Sequence, residues 1–213
     1  MKSKRAVLAV SVVVGAAFIL AFGALPAQAG GDAKHEYAGA KSCKMCHKDT
    51  YKSWEESKHA KSLELLKAGE AKEAKEKHKL DPAKDYTTDK ACLACHVTGY
   101  EKAGGYAVPD PKDEKAVKKA AKLAGVGCES CHGPGKDYNK VKKAIKKGAK
   151  EGKRYKFAQL EEAGMIKISD KSCVWCHNDK SPTYDESKKF DYEKMVKSEG
   201  GVHKHVPLKL KEE

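Results

Sequence analysis

The pattern of apolar and polar positions separates an apolar leader from a long lysine-rich remainder. After a short basic start, an apolar run extends from Ala6 to about Leu25, and Ala27-Gln28-Ala29 follows it. A basic start, an apolar run and a small-residue site are typical of a secretory signal peptide, so we predict cleavage after Ala29. The alternative is a retained membrane anchor, because the run is near the ~17-residue lower limit for spanning a bilayer.

Beyond the leader, the pattern predicts helices joined by long connections, with little strand. Asp81-Pro82, Gly125 and Gly200-Gly201 are expected to end helices. Residues 99–112, rich in glycine and proline, are expected to form an extended surface loop. The helical stretches are Tyr51 to about Leu80, Asp113–Leu123, Asn139–Lys147 and Asp191–Lys197.

Composition limits how this chain can build a core. It holds only four Phe and two Trp among its 213 residues, and Lys, Glu and Ala dominate. Removal of residues 1–29 leaves 30–213, a length typical of one domain. Such a domain has few large side chains for its interior, so another group is expected to fill the middle.

The cysteines point to that group. All eight fall into four Cys-x-x-Cys-His motifs, the attachment motif of c-type haem, in which two thioethers hold the porphyrin and the histidine binds the iron. We expect four covalent haems, with proximal ligands His47, His96, His132 and His177. The motifs are Cys43-Lys-Met-Cys46-His47, Cys92-Leu-Ala-Cys95-His96, Cys128-Glu-Ser-Cys131-His132 and Cys173-Val-Trp-Cys176-His177.

Three other uses of paired cysteines fit less well. Structural zinc uses Cys-x-x-Cys pairs but does not require a histidine directly after each one. Disulfides suit an exported protein but explain neither the pairing nor the histidines. A thioredoxin-like pair needs one motif in a strand–helix unit. For haem, each motif needs a helical turn, and Asp89 and Ser169 or Asp170 are positioned to cap the second and fourth.

The net charge does not point to nucleic acid. The formal charge of +13 includes the three basic residues of the leader, which leaves +10 for the remainder. Each haem adds two propionates, which are ionised at neutral pH and reduce this excess. Lysines such as Lys142, Lys143, Lys146 and Lys147 are therefore interpreted as a solvated helix face. No nucleic-acid partner and no stable membrane insertion are expected.

Several further segments resemble the tetrahaem cytochrome c-554 family over nearly the whole remainder of the chain. The most specific is Gly125–Gly135, which surrounds the third motif. The others are Ser53-Trp54, His59-Ala60-Lys61, Leu80–Tyr86, Gly104–Tyr106, Phe190-Asp191 and Met195–Lys197. The resemblance implies a mainly α fold, in which helices and long loops surround four closely packed haems. It also implies electron transfer between redox partner proteins in the periplasm.

The resemblance also implies distal iron ligands. His59 matches the family's distal ligand to the third haem, and His203 or His205 matches the region that serves the fourth. The family's histidine beyond Cys-His-Gly-Pro-Gly is missing here, where residues 136–141 contain none. His35 and His78 are weaker distal candidates, and Met165 and Met195 are expected to pack in the core rather than bind iron.

Two other functions remain open at this point. The family's second haem lacks a distal histidine, so reduction of a small nitrogen oxide such as nitric oxide is one alternative to simple electron transfer. The other is a subunit of an extracellular cytochrome filament, with self-association through His35 near the N-terminus. The electron carrier is the preferred interpretation, with no catalytic residues assigned.

Overall fold

Helices and turns make up most of the chain that the computed structural model describes, which is residues 34–149, 155–197 and 202–204. The signal segment 1–29 and His205 lie outside these residues, so both assignments stay predictions. Within the described residues, no helix is both long and apolar enough to cross a membrane. The α-helices are α1 (Lys48–Glu55), α2 (Lys72–Lys77), α3 (Lys90–His96), α4 (Glu114–Ala121), α5 (Cys128–His132), α6 (Gly135–Ala149), α7 (Phe157–Glu161), α8 (Asp170–Val174) and α9 (Tyr192–Lys197).

The mainly α prediction is confirmed. Three short 3-10 turns accompany the helices, at Ala40–Ser42, Glu64–Leu66 and Glu186–Lys188. An isolated β-bridge joins Val97 to Ala124. Three of the predicted helices are present as α4, α6 and α9, and the Asp113 carboxylate caps α4 by accepting from the Lys115 and Ala116 amides.

The long helix predicted from Tyr51 to Leu80 is wrong. Only α1, a 3-10 turn and α2 form there, because the backbone turns at Gly69 (φ 78°) and Ala71 (φ 48°) in the left-handed region. The stretch between α1 and the 3-10 turn forms separate turns and also makes hydrogen bonds to distant segments. The Val126 amide, for example, donates to the His59 carbonyl at 2.9 Å.

Within the described residues, the buried apolar side chains form three small clusters rather than one core. The first packs around the second motif and includes Leu93, which is fully buried. The second packs α6 against α7, and the third lies beside α1. The first cluster consists of Leu66, Tyr86, Leu93, Val97, Tyr106, Ala120 and Leu123. The second consists of Tyr138, Tyr155, Leu160 and Ala163. The third consists of Ala40, Tyr51 and Trp54.

A buried carboxylate ties the third motif to the start of the described chain. Glu129 lies between Cys128 and Cys131 and is only 1% exposed. Its carboxylate accepts the backbone amides of Ala38 (2.8 Å), Gly39 (2.6 Å) and Gly135 (2.6 Å). Burial raises the pKa of Glu129, and the three amide donors act against that rise. The side chain therefore fixes where the N-terminal segment crosses α5.

We expect Glu129→Ala to lower the free energy of unfolding by about 3–5 kcal/mol, because three buried amide donors lose their acceptor. Glu129→Gln keeps one carbonyl oxygen and should lose only about 1–2 kcal/mol. Denaturant unfolding followed by circular dichroism measures both. Glu162→Gln, on the exposed end of α7, is the control. Equal stabilities for Glu129→Ala and this control would contradict the assignment.

Candidate functional site

Each Cys-x-x-Cys-His motif lies on a helical turn, as predicted. The second ends α3 and the third forms α5. The fourth begins in α8 and continues as a turn in which the His177 amide donates to the Cys173 carbonyl at 3.0 Å. In the first, the His47 amide makes the same bond to Cys43, also at 3.0 Å. A four-residue helical step puts the first cysteine and the histidine on one face.

The predicted caps explain why two of these turns begin where they do. Asp89 precedes α3, and its carboxylate accepts the Ala91 amide at 2.9 Å. Ser169 precedes α8 and forms a capping box with Ser172, so Ser169 rather than Asp170 is the cap. Gly127 occupies this position before α5 and offers no side chain. The third motif is instead held by Glu129.

The cysteine thiols meet between motifs. Cys43 and Cys128 hydrogen-bond, which lowers the pKa of Cys43 and raises that of Cys128. Cys95 and Cys176 also form a hydrogen bond with each other, and this bond lowers the pKa of Cys95 to about 7 and raises the pKa of Cys176. No disulfide joins any two of the eight cysteines, all of which lie within the described residues. The first motif therefore lies against the third, and the second lies against the fourth.

Two motif histidines face a second histidine. The rings of His177 and His59 have centres 6.1 Å apart, and those of His132 and His203 are 6.4 Å apart. Two imidazoles that bind one metal from opposite sides, at ~2 Å each, leave their ring centres roughly 6 Å apart. Both pairs therefore fit an iron between them. Burial also lowers the pKa of His59, which favours the neutral ring that binds metals.

These pairs differ from the ligand assignment that the sequence resemblance implies. The resemblance gives His59 to the third haem and the region of His203 to the fourth, whereas the His59 ring lies near His177 of the fourth motif and the His203 ring near His132 of the third. The His59 backbone does lie beside the third motif, because the Val126 amide donates to its carbonyl. Its ring centre, however, lies 6.1 Å from that of His177. The backbone of His59 and its side chain therefore lie next to different motifs.

The second motif's histidine is oriented by a backbone carbonyl. His96 Nδ1 lies 2.7 Å from the Ser62 carbonyl oxygen, which can only accept, so Nδ1 carries the proton. This tautomer leaves Nε2 free to bind a metal, the usual arrangement for a metal-binding histidine. The Ser62 hydroxyl donates to the His96 carbonyl at 3.0 Å and closes a second link. Sequence reasoning missed Ser62, because its partner is 34 residues away.

The first motif opens into a cavity shared with α6. It is lined by Ser42, Cys43, Met45, Cys46, His47, Asn139, Lys142 and Lys143. Burial, together with the nearby charges of Lys142 and His203, lowers the pKa of His47.

The two weaker distal candidates, His35 and His78, are not part of these two histidine pairs. His35 is 11% exposed, and its Nδ1 lies 3.0 Å from Asp137, whose pKa is lowered to about 2 by hydrogen bonds from Lys140 and His35. The His35 ring packs on the backbone of Gly164. A histidine held this way within its own chain is poorly suited to reach a neighbouring subunit. His78 ends α2, half-buried.

The structure also shows the surroundings of Tyr138 and of the two methionines considered above. Tyr138 is 2% exposed, and its hydroxyl donates to the Gly133 carbonyl at 3.2 Å. Met165 packs against the α6–α7 cluster, so its predicted core role is confirmed. The same prediction for Met195 is wrong, since its side chain lies on α9 and is 44% exposed.

Comparison with known proteins gives consistent matches. A family model described as cytochrome c554 and c-prime matches residues 42–133. Cytochrome c-554 of Nitrosomonas europaea is 38% identical over 191 residues, which cover 81% of this chain and 77% of that protein. The solved structure of the reduced state of cytochrome c554 from the same organism matches with a TM-score of 0.71 at 37% identity. That match covers 82% of this chain and 88% of the solved chain.

We expect Ser62→Ala to lower the free energy of unfolding by about 1–2 kcal/mol, because the His96 carbonyl loses the Ser62 hydroxyl donor and the Val126 amide loses one of its two acceptors. Thermal unfolding of the purified protein measures the loss. Ser187→Ala removes an exposed hydrogen bond to Asp185 and should change little. A Ser62→Ala protein as stable as this control would show that the link does not hold the two segments together.

Proposed function

Since the chain belongs to the cytochrome c-554 family, we propose that it is a periplasmic electron-transfer protein with four covalently attached c-type haems. The family consists of c-type cytochromes, so the chain is a haem-bearing electron carrier that works with redox partner proteins. The number of haems, their ligands and the compartment are the parts we propose.

The observation that carries the proposal is the pair of facing histidines at the third and fourth motifs. Their ring separations of 6.4 and 6.1 Å suit one iron each. We assign His132 and His203 to the third haem, and His177 and His59 to the fourth. His203 is preferred to His205 because its ring faces His132. Phe190 stacks on His177 at 4.6 Å and restrains the ring of this ligand.

The cysteine contacts support adjacent attachment sites. Cys43 meets Cys128, and Cys95 meets Cys176, so groups attached to these motifs would be neighbours in two pairs. Each haem supplies an iron that accepts and releases one electron. The chain holds that iron by histidine ligands and sets its reduction potential through burial and hydrogen bonds such as the one from His96 to Ser62.

Export fits the same function. The leader over residues 1–29 has the pattern of a cleaved signal peptide, and c-type haem is attached outside the cytoplasmic membrane. We therefore place residues 30–213 in the periplasm as one haem-bearing domain. Its redox partners would be other periplasmic or membrane-bound electron carriers.

The haem number is tested by intact mass of the protein made in a host that attaches c-type haem. We expect the mass of residues 30–213 plus four haems. The double variant Cys92→Ser with Cys95→Ser should weigh one haem less, because both thioethers of the second site are lost. A mass without haem, or one unchanged by this double variant, would refute the proposal.

The distal assignment is tested by His59→Ala. We expect one haem of the four to change from low spin to high spin, because the iron beside His177 loses its sixth ligand. Electron paramagnetic resonance of the oxidised protein measures this change. His78→Ala is the matched control and should leave the spectrum as it was. If His59→Ala also leaves it unchanged, His59 is not a ligand.

A further inference from the structure

Helix α6 passes directly over the first motif. The Asn139 side-chain amide donates to the Ser42 hydroxyl at 3.1 Å, which fixes this face of α6 next to Cys43. Lys142 follows three residues later, and residues three apart lie on the same helix face. Lys142 accordingly lines one cavity with Cys43, Cys46 and His47.

Lys142 differs from the neighbouring lysines on α6. Lys136 pairs with Glu36, and Lys140 pairs with Asp137 at 2.8 Å. Lys142 is half-buried and has no ion pair with a carboxylate among the described residues. Its Nζ lies 5.4 Å from the centre of the Tyr138 ring, a weak interaction for a cation withdrawn from water. Within the described part of the chain, Lys142 therefore lacks the carboxylate partner that Lys136 and Lys140 have.

The histidines that we assign to the third and fourth haems leave none assigned to the first. His59 faces His177, and His203 faces His132, while His35 is held by Asp137. His203 also lies near enough to His47 for its charge to lower the pKa of His47, but its ring lies 6.4 Å from that of His132. Two lysines line its cavity, Lys142 and Lys143, and of these Lys142 is half-buried whereas Lys143 is exposed.

We propose that the Lys142 amine is the sixth ligand of the iron bound by His47, which makes the first haem a histidine/lysine centre. This inference rests on the proposed attachment of a haem at Cys43 and Cys46. On binding, the ammonium releases one proton to solvent, and its nitrogen lone pair forms the bond to iron. The oxidation state of the iron does not change.

A lysine ligand gives the first and second motifs different roles. By filling the sixth position, it makes the first haem a site for electrons alone, closed to small molecules unless the amine leaves. It also gives this iron a ligand set different from the two histidine pairs. The α6 segment thereby supplies a ligand although residues 136–141 contain no histidine.

The test is near-infrared magnetic circular dichroism of the oxidised, fully loaded protein, which distinguishes amine from imidazole ligation in low-spin haems. We expect one histidine/lysine signal in the unaltered protein. In Lys142→Ala this signal should disappear and one additional haem should become high spin and bind added imidazole. Lys142→His should restore a low-spin haem with a histidine/histidine signal. Lys143→Ala, which alters the exposed neighbour in the same cavity, should match the unaltered protein.

The possible outcomes distinguish a failure of the lysine-ligand proposal from a failure of the electron-carrier proposal on which it rests. Four haems by mass without any histidine/lysine signal would overturn the lysine ligand and leave the electron carrier intact. Identical spectra for Lys142→Ala and Lys143→Ala would overturn the lysine ligand in the same way. His203 also lies near His47, and loss of the signal only in His203→Ala would identify that residue as the ligand instead. A protein with no haem at Cys43 and Cys46 would overturn both proposals.

Discussion

The hydrogen bonds of the segment from His59 to Ser62 hold the site together. The His59 carbonyl accepts the Val126 amide, which leads into the third motif, and the Ser62 carbonyl accepts from the ring of His96 in the second. The same segment aims the His59 ring at His177 in the fourth. Four residues thus touch three of the four motifs. A change in the backbone path of residues 59–62 would therefore displace the groups that they contact at each of these three motifs.

This link has a steric requirement. The backbone carbonyl of Ala60 approaches Gly125 so closely that a Cβ at that position would collide with it, and Gly125 also has a φ of 77°. Trp54 reinforces the approach by donating from its indole nitrogen to the Val126 carbonyl at 2.9 Å. Because the three apolar clusters are small, such polar links between segments carry much of the organisation. The attached haems would add the apolar bulk that the side chains lack.

Local features of the site were predictable from sequence, and those set by tertiary contacts were not. The helical turn of each motif and the caps at Asp89 and Ser169 depend on neighbours a few residues away. The break after α1 and the pairing of His59 with His177 depend on segments far along the chain. Glu129 and Lys142 resemble ordinary charged residues in the sequence, because nothing there indicates that Glu129 is buried or that Lys142 lines a cavity with His47.

The proposed function depends above all on particular pairs of histidines holding irons attached to particular motifs. Diffraction from crystals of the oxidised protein, with data collected at the iron absorption edge, locates each iron directly. We predict four iron peaks, one between His59 and His177 and another between His132 and His203. An iron bound by both His59 and His132 would contradict these pairs, and fewer than four peaks would contradict the haem number.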